Sequence, residues 1–247
     1  MTRKLSVVFL AICLVLGLTQ AAPAIVLDSI AGPIVTLTVG TETLEAPMIL
    51  GEKGWLLPTV NFTTAAGSLA LNMATDISPV DPIIAWGLTA TNFAAVPVAF
   101  GFGVVIPIAL PVGSPTVIDA SVVGGMTDLL GDGVSVTPTS ITGFLQDNTL
   151  ASAGFTWSAG PAVAFGAGLP GALYPYGPFA FGPAAGPLGA GADFLIDGVG
   201  FLLSPSGDIA SLTGFCSIVP IPVPPSACLF GTGLLGLLGF GWRRMKG

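Results

Sequence analysis

Along most of this chain apolar and polar positions alternate with a period of two, the pattern of strands that bury one face. In Leu69-Ala70-Leu71-Asn72-Met73 the large apolar side chains fall on one side. In Thr59-Val60-Asn61-Phe62-Thr63, Val60 and Phe62 oppose Thr59, Asn61 and Thr63. Further strands are predicted over Ile34 to Val39, Ile83 to Phe93, Ala94 to Ile106 and Thr116 to Val123. Val134 to Thr137, Ile141 to Leu145, Ala192 to Leu203 and Ile209 to Ile218 complete the set. Turn chemistry separates them, in Gly32-Pro33, Gly51-Glu52-Lys53-Gly54, Gly113-Ser114-Pro115, Gly131-Asp132-Gly133 and Pro205-Ser206-Gly207-Asp208. Val96 to Leu110 is apolar on both faces and predicts a central strand covered on each side. With 35 glycines and 22 prolines in the chain, long helices are disfavoured in this region. The pattern predicts an all-β fold, an antiparallel β-sandwich of jelly-roll or Ig-like type.

The alternation fails between Gly160 and Gly191. Gly, Pro and Ala dominate there, with Phe165, Tyr174, Tyr176, Phe179 and Phe181 interspersed. A long loop across one sheet, or a flap, is expected over 160–191. Its plain reading is a surface excursion, and its functional reading is an aromatic platform for a ligand.

Both ends of the chain depart from the period of two altogether. Arg3 and Lys4 precede an unbroken apolar stretch from Leu5 to Leu18, and small residues follow through Ala24. This is the layout of a secretory signal peptide over residues 1–24, a signal helix cleaved after Ala22 or Ala24. At the other end Ser226 to Trp242 carries no charge over about 17 residues, the lower limit for a helix crossing a bilayer core. Arg243, Arg244 and Lys246 follow directly and form a basic tip that stays cytoplasmic by the positive-inside rule. Ahead of this hydrophobic helix runs Val219-Pro220-Ile221-Pro222-Val223-Pro224-Pro225. Prolines at that density hold an extended, polyproline-like backbone with few donors, which is expected not to fold back into a sheet and so to stay within reach of a protease or transpeptidase.

Proline motif, glycine- and leucine-rich span and Arg-Arg tip, in that order, resemble the PEP-CTERM sorting signal of Gram-negative bacteria. The similarity is to the variants written VPxP. Pro222, Val223 and Pro224 fall at the motif, and Leu229-Phe230-Gly231-Thr232-Gly233-Leu234-Leu235-Gly236-Leu237 matches the span. Val223 stands where the namesake motif has glutamate. The resemblance covers about 30 residues, within 219–247. It implies recognition by an exosortase, a membrane-embedded cysteine transpeptidase, in cells that make exopolysaccharide. It also implies a transient inner-membrane anchor and a final place in the cell envelope or on the extracellular surface. A plain tail anchor is the alternative.

Residues 25–218 are then the cargo domain. They hold all 13 Asp and Glu of the chain against Lys53 alone, a net charge of −12. Such a surface argues against nucleic acid, whose phosphates need Lys and Arg, and against adsorption on anionic lipid. Cys13 lies in the signal segment and Cys228 in the C-terminal span, which leaves Cys216 as the single thiol of the cargo. Its neighbours Phe215 and Ile218 place it in the core.

The chain has no histidine, so neither a Ser-His-Asp nor a Cys-His arrangement exists. Lys53 sits in a polar turn beside Glu52. Two carboxylate pairs, Asp76 with Asp81 and Asp128 with Asp132, have the residue types of a glycosidase, though most flank Gly or Pro as turn residues do. No cofactor is required. Ca²⁺ is the ion that Asp128-Leu129-Leu130-Gly131-Asp132-Gly133 would suit, although the spacing matches no EF-hand or nonapeptide repeat. The expectation is a non-enzymatic exported protein that meets signal peptidase and an exosortase on its route and exopolysaccharide or surface matrix at its end. A carbohydrate- or Ca²⁺-binding adhesin and a membrane-tethered carboxylate hydrolase are the alternatives.

Overall fold

The computed structural model describes residues 32–78, 82–140, 142–160, 164–166 and 168–221. The signal helix with Ala22 and Ala24, the motif Pro222-Val223-Pro224, the hydrophobic helix over 226–242 and the tip Arg243, Arg244 and Lys246 all lie outside them.

Every regular element among the described residues is a strand. In chain order they begin β1 (Ile34–Val39), β2 (Glu42–Pro47), β3 (Ile49–Leu50), β4 (Trp55–Thr63) and β5 (Gly67–Asp76). Next come β6 (Ile83–Asn92), β7 (Val98–Leu110), β8 (Thr116–Asp128), β9 (Val134–Pro138) and β10 (Gln146–Leu150). The last are β11 (Phe155–Ala159), β12 (Ala164–Gly166), β13 (Ala172–Ala185), β14 (Gly191–Leu203) and β15 (Ile209–Pro220). They form two antiparallel sheets packed as a sandwich. One runs β11-β10-β14-β7-β1-β2, with β9 and β12 attached beside β14; the other runs β13-β8-β15-β6-β5-β4-β3.

The period of two becomes burial directly. Leu69, Leu71 and Met73 of β5 and Ile84, Trp86, Leu88 and Ala90 of β6 point inward from one sheet. Phe100, Phe102, Val104, Ile106 and Ile108 of β7 and Leu195, Val199 and Phe201 of β14 meet them from the other. Trp86 and Phe102 join the layers edge to face, with ring centroids 5.4 Å apart. Cys216 is buried in this core as a free thiol.

Three expectations need correction. First, 160–191 is not one loop. It carries β12 and the 14-residue β13, which pairs along β8 at the edge of its sheet. Alternation is present there but interrupted. Tyr174, Tyr176, Phe179 and Phe181 lie on the covered side, and register shifts fall between Tyr176 and Phe179 and between Phe181 and Ala184. Each shift holds a Gly-Pro pair. A Cβ on Gly177 would stand 2.6 Å from the Val122 carbonyl oxygen, and one on Gly182 would stand 2.5 Å from that of Ile118. Proline is tolerated because an edge strand needs donors on one side only. With Tyr176 buried and stacked edge to face on Phe179, these aromatics do not form an open platform; Phe165 alone of the five is strongly exposed.

Second, the strand expected over Ile141 to Leu145 is not found at 142–145, and Ile141 lies outside the described residues. Ser140 Oγ donates to the Phe144 carbonyl at 2.7 Å and the Gly143 N–H bonds Ser140 O at 3.2 Å. That turn delays the strand to Gln146. Third, β7 is central, between β14 and β1, but its outer side is covered only in part, with Gly101 and Ala109 buried. Small residues such as Ala99 and Gly103 occupy that side beside an exposed Val105.

Candidate functional site

Where β8 ends and β15 begins, three carboxyl groups meet. The register that pairs Ile209 with Thr127 brings Asp208, just before β15, beside Asp128, the last residue of β8. Asp132 follows in the β8–β9 loop. One carboxylate oxygen from each of Asp128, Asp132 and Asp208 lies within 4.8 Å of the others. Asp128 and Asp208 are wholly buried, and Asp132 is exposed.

The backbone organises the two buried groups. Asp128 Oδ1 accepts the Gly131 N–H at 2.6 Å and Oδ2 accepts the Gly133 N–H at 2.8 Å, so the loop wraps around the carboxylate. Asp208 Oδ1 accepts the Leu129 N–H at 3.3 Å, and its Oδ2 accepts the Ser204 hydroxyl. Ser204 Oγ in turn accepts the Ser135 N–H at 2.7 Å. The cluster is therefore first a clamp between the β8–β9 and β14–β15 connections.

It is also electrostatically loaded. Burial holds the Asp208 carboxyl above the ordinary carboxylate range, and the charges of Asp128 and Asp132 push the same way. The hydrogen bonds from Ser204 and Leu129 oppose them. Each carboxylate offers about four lone-pair sites, so accepting two hydrogen bonds leaves capacity for a ligand. Three hard oxygen donors with no nearby base suit Ca²⁺, with water supplying the rest of its six to eight ligands. Lys53, the only basic side chain among the described residues, is exposed in the turn between β3 and β4.

The sequence picked out Asp128 and Asp132 and missed Asp208. Pro205-Ser206-Gly207-Asp208 reads as a turn, and only the β8–β15 pairing reveals what that turn faces. The other carboxylate pair is not assembled by the described residues. Asp76 Oδ1 accepts the Ser78 N–H at 2.9 Å, as a turn aspartate does, and Asp81 lies outside them.

No protein-family model matches the chain. No curated protein matches it either. Among solved structures it is similar, at 10% identity and a TM-score of 0.19, to a chain in "Structure of infectious bursal disease virus Gx strain". That overlap covers 81% of this chain and 64% of the other, so this chain spans less than two thirds of that one's length. Likeness at that level carries no argument about fold or function.

Proposed function

We propose that this chain is an exported, non-enzymatic surface or extracellular-matrix protein, sorted by an exosortase-type transpeptidase and associated with exopolysaccharide. The observation that carries the reading is the C-terminal order: Pro222-Val223-Pro224, the glycine–leucine span, then Arg243, Arg244 and Lys246. An acidic β-body precedes it. The end of that body supports the reading. β15 closes at Pro220, and the Ile221 N–H still bonds Pro115 O at 2.7 Å. Within β15, Val219 and Pro220 pair with Val117 and Thr116 of β8, which corrects the expectation that the whole proline run stays out of a sheet; Pro222-Val223-Pro224 follows the last described strand.

On this reading the sandwich is of jelly-roll or Ig-like type. A signal helix over 1–24 precedes it and is removed by signal peptidase; the hydrophobic helix over 226–242 holds it in the inner membrane until sorting. Replacing both Pro222 and Pro224 with alanine is expected to leave the protein in the membrane fraction at its unprocessed size. The proposal fails if the variant reaches the cell surface in the same amount and at the same size as the native chain.

A second reading, a Ca²⁺-binding adhesin, is favoured by one observation, the arrival of Asp208 beside Asp128 and Asp132. Ca²⁺ at a hundredfold excess over its Kd would add about 2.7 kcal/mol to folding, roughly 5–10 °C in Tm for a domain of this size. Asp132→Asn, at an exposed position, is expected to abolish most of that shift without disturbing the buried hydrogen bonds. A Tm of the native chain that ignores Ca²⁺ removes this reading. The carboxylate-hydrolase alternative has no comparable observation behind it.

A further inference from the structure

A carboxyl group is sealed between the sheets with no cation among the described residues to meet it. Asp197 lies midway along β14, wholly buried, with Leu195 and Val199 inward beside it. Its ladder neighbours are Asn148 on β10 and Val104 on β7. Gln146, also wholly buried, donates Nε2–H to Asp197 Oδ1 at 3.1 Å and to Asn148 Oδ1 at 3.2 Å. Asn148 Nδ2 donates to the Trp157 carbonyl at 3.2 Å. Two oxygens remain: among the described residues, Gln146 Oε1 and Asp197 Oδ2 are both buried without a partner.

The titratable groups around Asp197 supply no positive charge. Cys216 faces it from β15 in the other sheet, and burial followed by the Asp197 charge pushes that thiol well up. Asp147, which accepts the Thr142 and Ser158 hydroxyls, is the other acid acting on it. Lys53 is exposed on the β3–β4 turn. A buried carboxylate without a countercharge is strongly disfavoured. Reversing the Gln146 amide gives no relief, because Oε1 would then face the acceptors Asp197 Oδ1 and Asn148 Oδ1.

We propose that Asp197 is a carboxylic acid in the folded protein, with its Oδ2–H donating to Gln146 Oε1 and closing an acid–amide ring. One proton satisfies both orphan oxygens. The fold thereby becomes a proton-binding device. Burial pushes the Asp197 carboxyl up to about 7, against the hydrogen bonds from Gln146 and Gly198 and with a small push from the Asp147 charge. In the unfolded chain the group titrates near the ordinary aspartate value of about 3.9. Between those two values the folded state binds one more proton than the unfolded state. This contribution is therefore intact below about pH 4, falls about tenfold in the folding constant per pH unit as pH rises, and levels off above about 7. The sandwich is firmer in acid.

Asp197→Asn tests this, because an amide N–H replaces the acid O–H and needs no proton. Subtracting the variant's stability curve from that of the native chain is expected to give a fall of about tenfold per pH unit between about pH 4 and 7. At about pH 8 the variant is expected to be the more stable protein. A variant weaker than the native chain by a constant factor at every pH would overturn the proposal and mark Asp197 as an ionised partner of water or a cation. If the variant does not fold, the infrared spectrum of the native chain at about pH 6 decides. A protonated-carboxyl C=O band that persists in Asp208→Asn supports the acid form; its absence overturns it.

Discussion

Asn92→Leu is expected to lower the unfolding free energy by about 3–4 kcal/mol, one of the largest losses available at a polar position. Asn92 ends β6, is wholly buried and works as a junction. Its Nδ2 donates to Leu203 O at 3.0 Å, Ser204 O at 2.9 Å and Val96 O at 2.9 Å, and its Oδ1 accepts the Ala94 N–H at 2.8 Å. Its backbone also reaches the β14–β15 turn, through N–H to Asp208 O at 3.0 Å and through its carbonyl to the Gly207 N–H at 2.7 Å. Leucine fills a similar volume but leaves up to four polar groups without a partner. Each one that stays out of water costs about 1–3 kcal/mol, while groups near the exposed Val96 regain solvent. The backbone bonds survive, which keeps the total below the sum. Urea denaturation of the two proteins measures it, and a loss under about 1 kcal/mol would show that the turn satisfies itself without Asn92.

Trp157→Ala is expected to cost about 3–5 kcal/mol, the range for emptying a large aromatic site. Trp157 sits on β11 at the edge of its sheet, yet it is among the largest wholly buried side chains. It reaches across the sandwich, where Nε1–H donates to the Asp119 carbonyl of β8 at 3.3 Å. Trp157→Phe separates the two contributions. It keeps most of the apolar area and loses the long hydrogen bond, so about 1–2 kcal/mol is expected. Equal losses in the two variants would mean that the hydrogen bond, not the buried area, holds this edge down. Chemical denaturation midpoints at constant slope give the comparison.

The architecture was legible wherever alternation was strict. β1 is found where the pattern puts it, and β6, β14 and β15 agree to within one or two residues at each end. Misreadings follow from identifiable physics. β13 was hidden because two Gly-Pro bulges reset its register, so the aromatics stand two apart, then three, then two. β10 was displaced because Ser140, Thr142 and Gly143 form a turn from residues that also suit a strand. The outer side of β7 carries mostly Ala and Gly, which read as apolar but are covered only in part.

The sites divide in the same way. Asp128 and Asp132 are four residues apart and visible as a pair; Asp208 joins them only through the β8–β15 ladder. Asp197 stands in a sequence-predicted strand, but nothing local reveals that it faces inward. Its neighbours Ile196 and Gly198 give no clear side to the pattern. The buried ring with Gln146 is a product of tertiary pairing between β10 and β14.

Mass spectrometry of the protein purified from the cell-surface fraction tests the sorting account most directly. The expected molecule begins after Ala22 or Ala24, has lost the hydrophobic span with Cys228 and the basic tip, and carries Cys216 as its single thiol. A surface-located chain that still ends in Met245-Lys246-Gly247 would contradict it.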